Sequence, residues 1–286
     1  MSRRLLLALF VCCAGLLRAE PTGEDALTLY KTKRYPEARA AFEQIVARDP
    51  KNAPAHYYLG ILAQRRSDDE EAIRQLEQAT ALDPKNSDYF MDLGAAYGSA
   101  AGNAGIFAKM GLAEKCQAAL EHSVALNPDN LAARNGLVTY YRSAPSFVGG
   151  GMSKAYGEAE EIRKRDPLMG ATVVGQLYLA DKKYEEAFAT FEDVLKTKPD
   201  AYIALYSIGR AAAQTGLHLD RGEQALRRCL ELSPGKGEPG HAPVQWRLGN
   251  LFEKRGDPAA ARAAYEAALK IDPTFAQAKD SLAKLK

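Results

Sequence analysis

The sequence predicts an all-α fold, an α-solenoid of about seven helical hairpins stacked in chain order and closed by a C-terminal capping helix. Three observations lead to this prediction. A proline, most often preceded by Asp, recurs at intervals of 32 to 44 residues. Between these prolines, apolar residues are spaced by three and four, which keeps them on one face of a helix. Ala, Leu, Glu, Lys and Arg are abundant, and all of them favour helix.

The first element, residues 1–19, is predicted to be a secretory signal peptide and not a part of the fold. Arg3 and Arg4 form a positively charged start, and Leu5 to Leu17 is an almost unbroken apolar run. Ala19 then offers a small residue at a cleavage position. The run is shorter than a membrane-spanning helix, and the expected location is therefore periplasmic or secreted, in a bacterial envelope.

Other interpretations of this leader stay open. It can be retained as an N-terminal anchor, and Ser2-Arg3-Arg4 has a weak likeness to a twin-arginine signal. Lipidation at Cys12 is disfavoured, since Val11 precedes it where Gly or Ala is usual.

Composition and charge exclude two broad classes of function. With 47% hydrophobic and 26% charged residues, the chain is typical of a folded globular protein. Loss of Arg3, Arg4 and Arg18 with the leader leaves 35 basic and 36 acidic residues, a net charge of −1. A near-neutral chain gives no electrostatic case for binding nucleic acid. No later segment is apolar enough to predict a membrane span after signal cleavage.

The prolines divide residues 20–286 into seven predicted hairpins. Because proline cannot continue a helix and disfavours helix in the residue before it, each one ends a helix. The predicted hairpins end near Pro50, Pro84, Pro128, Pro167, Pro199, Pro234 and Pro273, and the cap occupies 275–285.

Within each hairpin, small and large residues recur at fixed places. Small residues such as Gly60 and Ala72 allow the paired helices to approach closely, and large ones such as Leu76, Phe191 and Tyr265 fill the space. Together with the 34 residues between Pro50 and Pro84, this pattern resembles the tetratricopeptide-repeat (TPR) proteins over nearly all of the mature length. The resemblance implies a protein- or peptide-binding solenoid.

Two hairpins are longer than the repeat. The third has about ten extra residues within 98–115, where Gly98, Gly102 and Gly105 are predicted to break the first helix and the second helix is over-long. The fourth has a longer turn, 143–153. Because both insertions occupy the same place in successive hairpins, we expect them on the same edge, next to each other.

The turn of the fourth hairpin contains a run of three glycines, Gly149 to Gly151. A glycine run can cradle phosphate, but this one has no Lys-Ser/Thr pair and no preceding strand to complete a P-loop. We therefore interpret it as structural, with Phe147 and Val148 attaching the turn to the neighbouring hairpin. The combination of a TPR array with this turn resembles a group of secreted bacterial repeat proteins. The resemblance supports an envelope location and implies no mechanism.

No catalytic, cofactor or metal site is predicted, and the chain is not predicted to be an enzyme. The four histidines are scattered and lack partners at metal-ligand spacing. Cys116 and Cys229 are interpreted as buried apolar residues that do not form a disulfide. The acidic groups at 68–71 and 158–161 are interpreted as helix-start charges and a solvated helical face.

A binding surface is predicted on the first helices of the hairpins, which line the concave side of a solenoid. The positions that face this groove by register mix aromatic residues with Arg, Asn, Thr and Gln, and such residues often dominate recognition. They are Tyr57, Arg65, Asn135, Thr139, Arg142, Gln176, Tyr206, Arg210, Trp246 and Asn250. Asn250 matches one position of the carboxylate-clamp TPR domains, but Trp246 stands where their lysine is expected, so the clamp is not predicted.

The predicted function is an interaction scaffold or adaptor that binds a protein or peptide of unknown identity. The alternative is a structural subunit of an envelope secretion or assembly complex, which would use the two insertions around Phe107 and Phe147 for permanent contacts.

Overall fold

The computed structural model describes residues 21–285, and the predicted signal peptide lies outside them. The described residues divide into two compact units, one that ends at Pro84 and one that begins at Lys85. The described part of each unit consists of α-helices and connecting turns, and no strand occurs in it. In each unit consecutive helices pair as hairpins that pack in chain order, so the predicted all-α solenoid architecture is confirmed.

Between residues 21 and 84, the first unit has two hairpins. Its helices are α1 (Gly23–Lys31), α2 (Tyr35–Arg48), α3 (Ala53–Gln64) and α4 (Asp69–Leu82). Their core is formed by small and large apolar residues, among them Ala38, Phe42 and Leu59. Asp68 accepts a hydrogen bond from the backbone N–H of Glu71 and caps α4, as its position at a helix start predicts.

The second unit holds five hairpins and the cap. Its helices are α5 (Ser87–Asn103), α6 (Ile106–Leu126), α7 (Leu131–Ser143), α8 (Met152–Arg165), α9 (Pro167–Ala180), α10 (Tyr184–Thr197), α11 (Tyr202–Thr215), α12 (Leu219–Glu231), α13 (His241–Arg255), α14 (Pro258–Ile271) and α15 (Ala276–Lys284). A short 3-10 turn, Ser146–Val148, lies between α7 and α8. Helix α15 packs on α14 and covers the end of the last hairpin.

Glycine and a bulky side chain face each other inside the hairpins. A Cβ atom added at Gly60 would lie 2.6 Å from Cγ of Leu76, and one at Gly249 would lie 2.2 Å from the ring of Tyr265. Because real Cβ contacts are not this short, the two helices of these hairpins can approach only through a glycine. The small and large residues of the sequence pattern are therefore direct partners across a hairpin.

The third hairpin corrects one prediction. Helix α5 is not broken at Gly98 or Gly102 but continues to Asn103, and the extra residues lengthen both α5 and α6, to 17 and 21 residues. Each helical glycine costs about 1 kcal/mol relative to alanine. Burial of neighbours such as Ala101 against α6 offsets that cost. The over-long second helix is confirmed.

Candidate functional site

The two insertions lie together and enclose a cavity of about 850 Å³, which we call the insertion pocket. Its walls are α5, α6, α7 and the turn residues Ala144, Pro145, Phe147 and Val148. The lengthened ends of α5 and α6 form one side, and the turn after α7 forms the other. The expectation that the insertions emerge next to each other is therefore confirmed.

The lining of the insertion pocket is mostly apolar. Met91 from α5, Met110 from α6 and Val148 from the turn are among its apolar contributors, and Lys109 is the one charged side chain in the lining. Asn135 and Thr139, two of the predicted groove positions, add amide and hydroxyl groups from α7. A mostly apolar cavity with a few polar groups is the usual composition of a ligand site.

The turn that closes the insertion pocket is fixed to α7. The buried hydroxyl of Tyr140 donates a hydrogen bond to the carbonyl of Val148, whose side chain is only 7% exposed. A Cβ atom added at Gly150 would lie 1.8 Å from the carbonyl oxygen of Ala144, so only glycine fits there. Contacts with backbone carbonyl groups of the same hairpin therefore fix the position of this turn.

The glycine run offers no free donors to a phosphate. The N–H groups of Gly149–Gly151 donate to the carbonyls of Ser146, Pro145 and Tyr141, respectively. Gly149 adopts a left-handed conformation with φ of 87°. These contacts agree with the structural interpretation of the run.

Large apolar side chains are exposed beside the pocket. Phe147 is 76% exposed and Met110 is also exposed, and both belong to the lining. Phe107, one residue into α6, is 91% exposed. The prediction that Phe147 attaches the turn to its neighbour is therefore wrong, because Val148 occupies the buried position and Phe147 projects outward.

The predicted groove residues of the first unit lie on or just after α3. Tyr57 is half-buried with its ring 5.1 Å from that of Tyr58. Arg65 is exposed, with its guanidinium 4.0 Å from the centre of the Tyr35 ring. Both are held by aromatic neighbours of their own unit.

The predicted groove residues of the second unit have several different environments. Arg142 is exposed at the end of α7, beside Ser143 of the pocket lining, and Gln176 is half-buried on α9. On α11, Tyr206 is buried and Arg210 is half-buried. The buried Nε atom of Arg210 has no hydrogen-bond partner in the described part of the chain.

On α13, Trp246 contacts the cap helix and Asn250 contacts α14. The indole N–H of Trp246 donates to the hydroxyl of Ser281 at 3.0 Å, and its ring meets Phe275 edge to face. The Asn250 amide donates to the Tyr265 hydroxyl at 2.8 Å. Sequence reasoning did not identify Arg247, whose guanidinium lies 4.2 Å from the centre of the Trp246 ring. Its place directly after the only tryptophan was the available signal.

The remaining reactive side chains of the described residues are not grouped into a centre. Cys116 and Cys229 are both buried and free. Between residues 21 and 285, no group of His, Cys, Asp and Glu side chains is arranged to hold a metal ion. None of the helices in that range combines the length and apolar character that crossing a membrane would require.

Comparison with known proteins identifies the repeats. One model described as "Tetratricopeptide repeat" matches residues 25–87 and 175–236, and a second with the same description matches 242–275. No curated protein matches the chain significantly.

Several solved structures share the fold at low sequence identity. A tetratricopeptide repeat protein from Parabacteroides merdae has a TM-score of 0.65 and 15% identity, with 91% of this chain and 95% of that chain covered. The C-terminal part of a TPR repeat-containing protein from Cytophaga hutchinsonii has a TM-score of 0.54 and 19% identity, over 91% and 98% of the two chains.

Human IFIT1, solved as a dimer with m7Gppp-AAAA, has a TM-score of 0.61 and 20% identity. The alignment covers 92% of this chain and 61% of IFIT1. At these identities the likeness shows the fold alone. The repeat models, the helical hairpins and these neighbours agree, and the chain belongs to the tetratricopeptide-repeat proteins.

Proposed function

We propose that this chain is an exported scaffold that binds a partner protein by holding an apolar segment of it in the insertion pocket. The TPR fold in general supports a role in protein–protein interaction. The observation that carries the finer proposal is the insertion pocket itself, a mostly apolar cavity of about 850 Å³ with the exposed ring of Phe147 in its lining.

The size and chemistry of the pocket favour a short peptide segment as its occupant. Its volume is within the range of ligand sites, roughly 300–1,000 Å³, and has room for a few side chains. Exposed apolar surface of this kind marks interaction sites in folded proteins. Asn135 and Thr139 supply hydrogen-bonding groups that suit a peptide backbone. Lys109 favours an acidic residue next to the apolar ones.

The groove predicted from register is part of the same proposal. In the second unit, Asn135 and Thr139 belong to the pocket lining, and Arg142 directly precedes Ser143 of that lining. We propose that a bound segment contacts these residues of α7 while its apolar side chains occupy the insertion pocket.

The proposal that the chain is exported depends on its N-terminal leader, residues 1–19. The arginines at 3 and 4, the apolar run and Ala19 support a cleaved signal peptide and a periplasmic or secreted mature chain. Cell fractionation with N-terminal sequencing tests this part. A mature N-terminus at Glu20 in the periplasm or medium supports export. An intact N-terminus on protein in the cytoplasm contradicts it, and an intact N-terminus in the membrane fraction shows the retained anchor.

The second candidate is a structural subunit of an envelope assembly. It is favoured by Phe107, which is almost fully exposed at the start of α6 and lies outside the pocket lining. A permanent interface would cover this ring at all times. If the chain purifies from its envelope only within a stoichiometric complex, and deletion of 100–112 disrupts that complex without unfolding the chain, this candidate is the correct one.

Filling the insertion pocket tests the scaffold proposal. Ala95 is an exposed position of α5 in the pocket lining, so Ala95→Trp adds bulk to the cavity without displacing the core. Ala263→Trp, at an exposed position of α14, is the matched control. The proposal predicts that the protein captured by the wild type is lost with Ala95→Trp and retained with Ala263→Trp. Equal capture by both variants would refute the pocket assignment.

A further inference from the structure

Two helices of the second unit carry all the buried side-chain polar atoms that lack a hydrogen-bond partner among the described residues. These atoms are the hydroxyl of Ser207 and the Nε atom of Arg210 on α11, and the Nε atom of Arg247 on α13. Helices α11 and α13 pack against each other. Buried donors without partners are rare and costly, so a concentration of them needs a physical reason.

Another arginine of the same unit shows what a satisfied buried guanidinium looks like. Arg134 on α7 donates from Nε to the carbonyl of Pro128 at 2.8 Å and from its terminal nitrogen to Glu158 at 2.7 Å. The fold is therefore able to provide partners for a buried arginine. For the Nε atoms of Arg210 and Arg247, none of the described residues provides a partner.

Two arginines near Arg210 carry a charge of the same sign as its own. Burial lowers the pKa of the Arg210 guanidinium most, and the nearby Arg247 and Arg142 lower it further, while Tyr206 acts in the opposite direction. In the described part of the chain, no carboxylate forms an ion pair with any of these three arginines. A cluster of like charges in a partly dehydrated position is unfavourable unless an anion joins it.

The cluster is also held in place. The guanidinium of Arg247 lies over the ring of Trp246, and Trp246 is fixed by its hydrogen bond to Ser281 of the cap. Such a fixed guanidinium loses little conformational freedom when it binds an anion. The cap helix thereby positions a donor, Nε of Arg247, to which no described residue offers an acceptor.

We propose that Arg210 and Arg247, joined by Arg142, form a binding site for the acidic side chains of the partner segment. A carboxylate accepts two parallel hydrogen bonds from one guanidinium, and it would satisfy the buried Nε donors and neutralise the cluster. Arg142 directly precedes Ser143 of the insertion pocket, so the acidic residues would be neighbours of the apolar ones. This inference rests on the proposed function and names the chemistry of its partner as apolar and acidic.

The Nε–H groups themselves report binding. In the full chain labelled with ¹⁵N-arginine, the Nε–H signals of Arg210 and Arg247 should shift and saturate on titration with the peptide Ac-Glu-Glu-NH2. They should not saturate with Ac-Gln-Gln-NH2. Arg210→Gln should raise the peptide concentration that half-saturates the Arg247 signal at least tenfold. Arg262→Gln, which removes an exposed arginine of α14, should leave it unchanged.

Three outcomes would overturn the proposal. The signals fail to saturate with the glutamate peptide, or they follow the glutamine peptide equally, or inorganic phosphate saturates them at a tenfold lower concentration. The last result would assign the cluster to phosphoryl groups, as on a nucleic acid, in place of an acidic protein segment.

The thermal stability of an Arg210 variant shows whether this residue serves a ligand or the fold. Arg210→Met removes the unpaired charge and keeps the bulk, so it should raise the Tm of the free chain by about 2 °C. A fall of that size would show that Arg210 stabilises the fold, and the proposal would be wrong. Ala95→Trp should leave the Nε–H titration unchanged, since it fills only the pocket. Failure of the titration therefore speaks against the acidic site, and unchanged partner capture by Ala95→Trp speaks against the insertion pocket.

Discussion

The hydroxyl of Tyr140 on α7 donates a hydrogen bond to the carbonyl of Val148, and this contact holds the turn after α7 against the insertion pocket. Both groups are buried. The contact joins the extra residues of the fourth hairpin to the helix that also lines the pocket. The turn therefore has a fixed position at the side of the pocket.

Removing this hydrogen bond should destabilise the turn after α7. Tyr140→Phe leaves the Val148 carbonyl without its donor, and we expect a loss of about 1 kcal/mol in the free energy of unfolding. Partner binding should weaken as the turn departs from the pocket. Tyr184→Phe on α10, whose hydroxyl has no hydrogen-bond partner among the described residues, is the control. Urea denaturation of the two variants makes the comparison, and equal stabilities would contradict this role of Tyr140.

Gly150 should tolerate no side chain. The Cβ atom of Gly150→Ala would collide with the backbone oxygen of Ala144, which cannot move aside as a flexible side chain can. We expect a destabilisation of about 2 kcal/mol or more. Gly157→Ala in α8 has open space around its Cβ and should stabilise the helix by about 0.5–1 kcal/mol. Melting temperatures that move in the same direction for both variants would show that the turn is not the constraint.

Glu158 should contribute more to stability than Glu160, two residues further along α8. Its carboxylate pairs at 2.7 Å with Arg134, whose side chain is only 8% exposed, so Glu158→Gln leaves a buried charge poorly compensated. We expect a loss of about 2 kcal/mol. Glu160 pairs with Arg163 at the surface, and Glu160→Gln should change stability by less than about 0.5 kcal/mol. Similar losses for the two variants in denaturant titrations would contradict the buried pair.

The thiol of Cys116 should be unreactive at neutral pH. Burial raises its pKa to about 11, so its thiolate fraction at pH 8 is on the order of one in a thousand. Iodoacetamide should label Cys116 slowly in the folded chain, faster as the pH approaches 11, and quickly after denaturation. Since the folded pKa lies above the unfolded one, the stability from this neutral thiol is complete below about pH 9 and decreases from there to about pH 11. Mass spectrometry showing rapid labelling of the folded chain at pH 8 would contradict the burial.

Much of the architecture could be predicted because it depends on local pattern. Proline at the hairpin ends and the pairing of Gly60 with Leu76 follow from backbone sterics and residue size. The contact between the insertions followed from their equal place in successive hairpins. The path of α5 through Gly98 could not be predicted, because packing against α6 decides it and local propensity does not.

Side-chain partners were the least predictable part of the site. The acidic group at 158–161 was interpreted as a solvated face, yet Glu158 pairs with buried Arg134 from another helix. Trp246 was predicted from its register to line the groove, and its indole N–H contacts the cap helix. The unpartnered Nε of Arg247 depends on which side chains two neighbouring helices place beside it, and no local pattern encodes that.

Site-specific crosslinking tests the central claim, that a partner protein occupies the insertion pocket. A photo-reactive phenylalanine is placed at position 147 in the pocket lining, and at position 271 as a control, where an exposed isoleucine lies at the end of α14. On irradiation of intact cells, position 147 should give one crosslinked partner species that Ala95→Trp abolishes, and position 271 should not give it. The same species from both positions, or a species from 147 that persists in Ala95→Trp, would contradict the account.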